Sequence, residues 1–98
     1  MNELQRLRTR IDVLDAGIAA QLAQRFEVCR LVGRLKRHED IPMMQPDRVR
    51  HVHEVYRKAA QDQGLPEDFA RQFVELMIAA TCALEDDIID APQEAGVR

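Results

Sequence analysis

Apolar residues recur at steps of three, four and seven along the first third of the chain: Leu4, Leu7, Ile11, Leu14, Ile18, Leu22, Cys29 and Val32. That spacing is one face of an amphipathic helix. No proline intervenes before Pro42. Gly17 and Gly33 each cost only about 1 kcal/mol relative to alanine, which a long helix absorbs. The pattern therefore predicts one helix over residues 3–38, roughly 54 Å long at 1.5 Å per residue. Residues 39–46 hold two prolines and predict a loop. A second helix starts near Pro46-Asp47, carries Val49, Val52, Tyr56 and Ala60 on its apolar face, and ends at Gln63-Gly64. Proline and an acid suit a first turn, and glycine suits a left-handed cap. A third helix spans residues 66–89, with Phe69, Phe73, Leu76, Met77, Ala80, Leu84 and Ile88 as its expected buried stripe.

These elements predict an all-α domain over residues 1–90 and a flexible tail at 91–98. A globule of about 100 residues has a radius of gyration near 13 Å and is about 35 Å across. The first helix overshoots any such globule, and its apolar stripe must be covered. A second copy of the chain is the simplest cover. The mismatch thus predicts a three-helix protomer in an intertwined homodimer.

Composition narrows the class. In 98 residues, 46% are hydrophobic and 4% aromatic, with no Trp. A disordered chain and an aromatic base-stacking surface are both excluded on these grounds. No apolar run reaches the roughly 18 residues of a membrane span, and no cleavable signal opens the chain. Cys29 and Cys82 fit no metal spacing, and His51 and His53 face different directions. No metal is expected, and the thiols predict a reducing, cytoplasmic setting.

The net charge of −3 hides an asymmetry: residues 1–38 carry eight Lys/Arg against four acids, and residues 61–98 carry two against nine. A basic segment in an acidic protein points to an anionic small molecule or an acidic partner rather than to nucleic acid.

Chemistry is sought where a polar residue interrupts an apolar stripe. Arg25 and Lys36 share one helical face, about 16 Å apart along the axis, with Cys29 and Val32 between them. They are either a pair of cations flanking an apolar floor or side chains snorkelling to water. Arg8 lies about 25 Å from Arg25 along the helix and on another face, so it cannot join that site in its own chain. It is either a flank residue or a contributor to a partner's site. Glu85, amid Phe73, Met77, Leu84 and Ile88, is either held neutral or paired with the first helix. Thr81 sits one turn before it. Arg48, in a first turn, hints at a nearby anion or is simply solvated. Cys29 and Cys82 read as small core residues, and Met43-Met44 as a plug.

The run Leu7-Arg8-Thr9-Arg10-Ile11-Asp12-Val13-Leu14-Asp15, followed by Arg25, Val32-Gly33-Arg34-Leu35-Lys36, Pro42, Asp47-Arg48, Gly64-Leu65 and Thr81…Glu85, resembles the all-helical chorismate mutase family of AroQ type. The resemblance covers residues 4–89. It implies an intertwined dimer with two sites, each completed by an arginine from the partner, and a concerted [3,3] rearrangement of chorismate to prephenate without a cofactor. It further implies that Arg25 and the partner's Arg8 bind carboxylates and that Arg48 borders the site. Thr81 would lie near the ring carboxylate. Lys36 and Glu85 would donate to the ether oxygen, Glu85 as the protonated acid, so that activity falls as pH rises.

Two positions depart from the commonest pattern. Gln45 and Val49 stand where many mutases carry acids that meet the substrate's C4 hydroxyl. The Pro-Met-Met-Gln-Pro loop is similar to that of 4-amino-4-deoxychorismate mutases, and Val49 after Arg48 is similar to isochorismate pyruvate lyases. Chorismate ranks first, the amino analogue second and the lyase third. A noncatalytic helical dimer acting as a regulatory or interaction module is the alternative of another class.

Overall fold

In a computed structural model, which describes residues 2–92, the chain forms three helices: α1 (Glu3–Glu39), α2 (Pro46–Gln63) and α3 (Glu67–Asp90). Each boundary lies where local chemistry puts it. The Asn2 side chain accepts the Gln5 amide at 2.8 Å and caps α1. At the other end Lys36, Arg37 and His38 oppose the helix dipole, and Asp40 turns left-handed at φ 56°. Pro46 occupies the start of α2, and Gly64, at φ 79°, ends it. Glu67 and Asp68 follow Pro66 into α3. The predicted and observed limits differ by a residue at most. Of the predicted tail, residues 93–98 lie outside the described residues. Among the described residues no helix is long and apolar enough to cross a membrane.

α3 packs against α1 and against α2, while α1 and α2 diverge. The small core joins α2 to α3 through Val52, Val74 and Met77, with Leu22, Tyr56, Phe73 and Ile78 packed around it. Phe73 sits between two rings, with centroids 5.6 Å from Tyr56 and 5.9 Å from Phe69, spacings typical of favourable aromatic pairs. At the far end α1 and α3 approach closely over Gly33. A methyl group there would lie 3.3 Å from the Ile88 side chain, close enough that one of the two would have to give by a few tenths of an ångström. Arg37 donates to the Ile88 carbonyl at 3.1 Å, satisfying an otherwise open C-terminal carbonyl of α3.

The α3 stripe needs correction. Its buried line is Ala70, Val74, Met77, Thr81 and Glu85. Phe69 and Leu76, expected inside, are 55% and 70% exposed, and Ala80 is exposed as well. The apolar surface of α3 is broader than one stripe, and α1 and α2 together cover only one sector of it.

The protomer measures 61 × 30 × 15 Å, with a radius of gyration of 17.9 Å. A compacted chain of this length would reach about 13 Å. The excess comes from α1, whose residues 3–21 are all exposed. Leu4, Leu7, Ile11, Leu14 and Ile18 stay uncovered within the protomer.

Candidate functional site

Where α1 and α2 diverge above α3, a cleft of about 210 Å³ opens. α1 supplies Arg25, Val28, Cys29, Val32 and Lys36. The loop supplies Met43, Met44 and Gln45, and α2 supplies Arg48 and Val49. Ile78, Thr81, Cys82 and Glu85 of α3 complete the lining. Three cations and one carboxylate thus face a largely apolar space, a charge balance suited to an anion with an apolar body.

Lys36 and Glu85 are the best-defined groups. The Lys36 ammonium lies 2.7 Å from Glu85 Oε1, and both side chains are nearly buried, at 13% and 11% exposure. It also donates to the Met43 carbonyl at 2.6 Å. Lys36 therefore does not snorkel to water. Glu85 is buried and paired with α1, as one of its two sequence readings required. An ammonium has three donors, so one remains beyond these two contacts.

Arg25 is half-buried, and its Nη1 lies 3.7 Å from Cys29 Sγ, one turn along the helix. A thiol is a weak acceptor, so the guanidinium keeps most of its donors for another partner. Arg48 lies exposed on the rim, in the first turn of α2. Gln45 precedes it; its side-chain amide donates to the Pro42 carbonyl at 2.8 Å. Thr81 is buried, and its hydroxyl donates back to the Met77 carbonyl at 2.9 Å.

Six of the seven expected site residues thus line one cleft. Arg8 does not: it is exposed on the first half of α1, roughly 42 Å along the axis from Lys36.

Other lining residues were legible only in part. Cys82, read as a core residue, faces the cleft instead; Cys29, read both as a core residue and as part of the floor between Arg25 and Lys36, lines the cleft, as do Met43 and Met44. Burial, reinforced by the nearby Glu85 carboxylate, pushes the Cys82 thiol up from its ordinary value, which keeps it in the neutral form. Val28 and Ile78 carried no distinguishing signal, because an apolar wall residue of a cleft and one of a core look alike in sequence.

The arrangement is one for gripping and polarising a small polyanion. Arginine forks bind carboxylates through paired hydrogen bonds. A buried ammonium beside a carboxyl group suits an oxygen that gains charge during a reaction. The helical cleft coincides with a family match: the type II chorismate mutase model covers residues 7–86. The chain belongs to that family, and the reaction the family is named for is an isomerisation. It is 37% identical over 86 residues to a 4-amino-4-deoxychorismate mutase of Streptomyces pristinaespiralis, covering 88% of this chain and 67% of the relative. To the 4-amino-4-deoxychorismate mutase of Streptomyces venezuelae it is 36% identical over 85 residues, 87% of this chain and 82% of the relative. To the chorismate mutase of Methanocaldococcus jannaschii it is 23% identical over 93 residues, 95% and 94% of the two chains. An isomerase, rather than an interaction module, is the class that site and family define.

Proposed function

We propose that the cleft catalyses the concerted [3,3] rearrangement of a chorismate-type dianion, and that its substrate carries an amine at C4. The carrying observation is the cation set of Arg25, Lys36 and Arg48 around an apolar floor, with Lys36 held 2.7 Å from Glu85. In this reaction the ether C–O bond breaks while the enolpyruvyl methylene bonds to the ring. Electrons move only within the substrate, so the protein has to hold the pose and meet the developing charge. Arg25 grips one carboxylate, with Arg48 at the rim. The remaining Lys36 donor meets the ether oxygen. Glu85 donates to the same oxygen as a protonated acid, because an ionised carboxylate would repel the charge forming there. In the resting protein Glu85 accepts from Lys36 through Oε1, which leaves its other oxygen for the substrate's ether oxygen. Thr81 turns its hydroxyl from its own helix to the ring carboxylate.

Gln45 and Val49 face C4. One N–H of the Gln45 amide goes to the Pro42 carbonyl, and its oxygen is open to accept from an amine. The higher identity to the two 4-amino-4-deoxychorismate mutases than to the chorismate mutase supports the amine ahead of the hydroxyl.

Arg8 acts across a dimer. A groove of about 850 Å³ runs beside the uncovered half of α1, past Leu14, Ile18 and Leu22 to Tyr56 and Phe73. It ends on Arg25 and Val28, which also line the cleft. A partner's α1 laid antiparallel in that groove buries the exposed stripe and brings its Arg8 to the carboxylate site. Two unpaired thiols at the cleft suit a cytoplasmic setting.

The test is kcat/KM on 4-amino-4-deoxychorismate, chorismate and isochorismate, measured separately. The amino substrate is expected to be fastest. Preference for chorismate would return the substrate to the hydroxyl form, and turnover of none would end the reading. Mixing inactive Arg8→Ala and Arg25→Ala chains tests the shared site. Half the dimers then contain one intact site, so about a quarter of wild-type activity returns in a symmetric exchange. No recovery, with exchange of chains confirmed, would place Arg8 outside the site.

A further inference from the structure

The loop between α1 and α2 is tied to the site at several points. The Ile41 amide donates to the Lys36 carbonyl at 2.9 Å. The Lys36 side chain reaches forward to the Met43 carbonyl at 2.6 Å. Gln45 is anchored to α2, its backbone carbonyl accepting the Arg48 and Val49 amides at 3.0 and 3.1 Å. Its side chain then reaches back to the Pro42 carbonyl at 2.8 Å. This last bond is a chord across the turn that contains Met43. Pro42 and Pro46 limit backbone freedom at either end, but neither fixes the peptide between Met43 and Met44.

Lysine is a compact charge on a flexible four-carbon stem. Its usefulness at a reacting oxygen depends on being held within a fraction of an ångström. Glu85 supplies one fixed acceptor and the Met43 carbonyl supplies the other. The second is only as fixed as its turn.

We propose that Gln45 is a positioning residue: its amide N–H closes the Pro42–Gln45 turn and so keeps the Met43 carbonyl on the Lys36 ammonium, aiming the remaining N–H at the substrate. This role adds to the C4 contact through the Gln45 oxygen and rests on the reading of the cleft as the rearrangement site. The two roles separate cleanly by substitution. Glutamate at 45 keeps the acceptor oxygens but cannot donate to Pro42, whereas alanine removes both.

The experiment compares Gln45→Glu and Gln45→Ala with wild type by hydrogen exchange over the loop and by steady-state kinetics, alone and in a Lys36→Gln background. Both variants should exchange faster over residues 40–48. Gln45→Glu should lower kcat about three- to ten-fold, the range of one hydrogen bond. In the Lys36→Gln background the same change should have little effect on kcat, because the residue acts through Lys36. Three results would overturn the proposal: unchanged loop exchange in Gln45→Glu, an equal kcat loss in both backgrounds, or a change confined to KM. Should wild type turn over none of the three substrates, the site reading fails on that ground alone, and loop exchange still decides whether Gln45 braces the turn.

Discussion

The two halves of α1 obey the same hydrophobic rule and meet different fates. From Leu22 onward the helix has neighbours: Leu22 joins the core, Gly33 is buried against Ile88, Lys36 pairs with Glu85 and Arg37 caps α3. In residues 3–21, by contrast, every side chain is exposed. An amphipathic stripe is a demand for cover; it does not say whose surface meets it. In the second half α3 answers within the chain. In the first half a second copy of the chain is the proposed answer, and that half carries Arg8.

The sharpest way to break this contrast is a charge on the uncovered stripe. Leu14→Asp should abolish the dimer and with it essentially all activity, read by sedimentation velocity and turnover. Burying a leucine side chain contributes about 1.5–3 kcal/mol, symmetry counts it twice, and a buried unpaired carboxylate adds its own penalty. A wild-type protein that sediments as a stable single chain would collapse the comparison altogether.

Next in size are the arginines, one from each half. Arg25→Ala and Arg8→Ala should each lower kcat/KM about 100- to 1000-fold, as expected for loss of a charged donor at a transition state, with thermal unfolding little changed. A harmless Arg8→Ala beside a crippling Arg25→Ala would make the first half of α1 scaffold only.

A smaller effect is expected at Glu85, against which the packed half of the helix sets Lys36. A carboxamide at that position can donate to the ether oxygen, so Glu85→Gln should keep turnover within about ten-fold of wild type, whereas Glu85→Ala, which leaves no donor there, should lower kcat about 100-fold. Equal losses in the two variants would remove Glu85 from that role.

The smallest effect compares the two helical glycines. Gly33→Ala should destabilise by about 1 kcal/mol in denaturant titration, because crowding against Ile88 outweighs the gain in helix propensity. Within one protomer nothing lies near a methyl group on Gly17, so Gly17→Ala should stabilise the isolated chain by about 1 kcal/mol. A gain of that size in the dimer would mean that the partner helix does not press on this point of the groove, and a loss that it does.

The amino-acid order by itself determined the three helices and their ends, because caps, prolines and apolar periodicity act over three or four residues. It also placed Arg25 and Lys36 on a common face, since helical geometry is regular enough to carry that over three turns. It could not distinguish the two faces of α3. Phe69 and Leu76 carry the same apolar signal as Val74 and Met77, and only the positions of α1 and α2 separated them. Nor did it separate the thiol of Cys82 from a core residue, since a cleft wall and a core differ only in what lies opposite. That Lys36 meets Glu85 across a gap of 49 residues in sequence was decided by tertiary structure alone: such a contact depends on how whole helices cross, and no local pattern encodes the crossing.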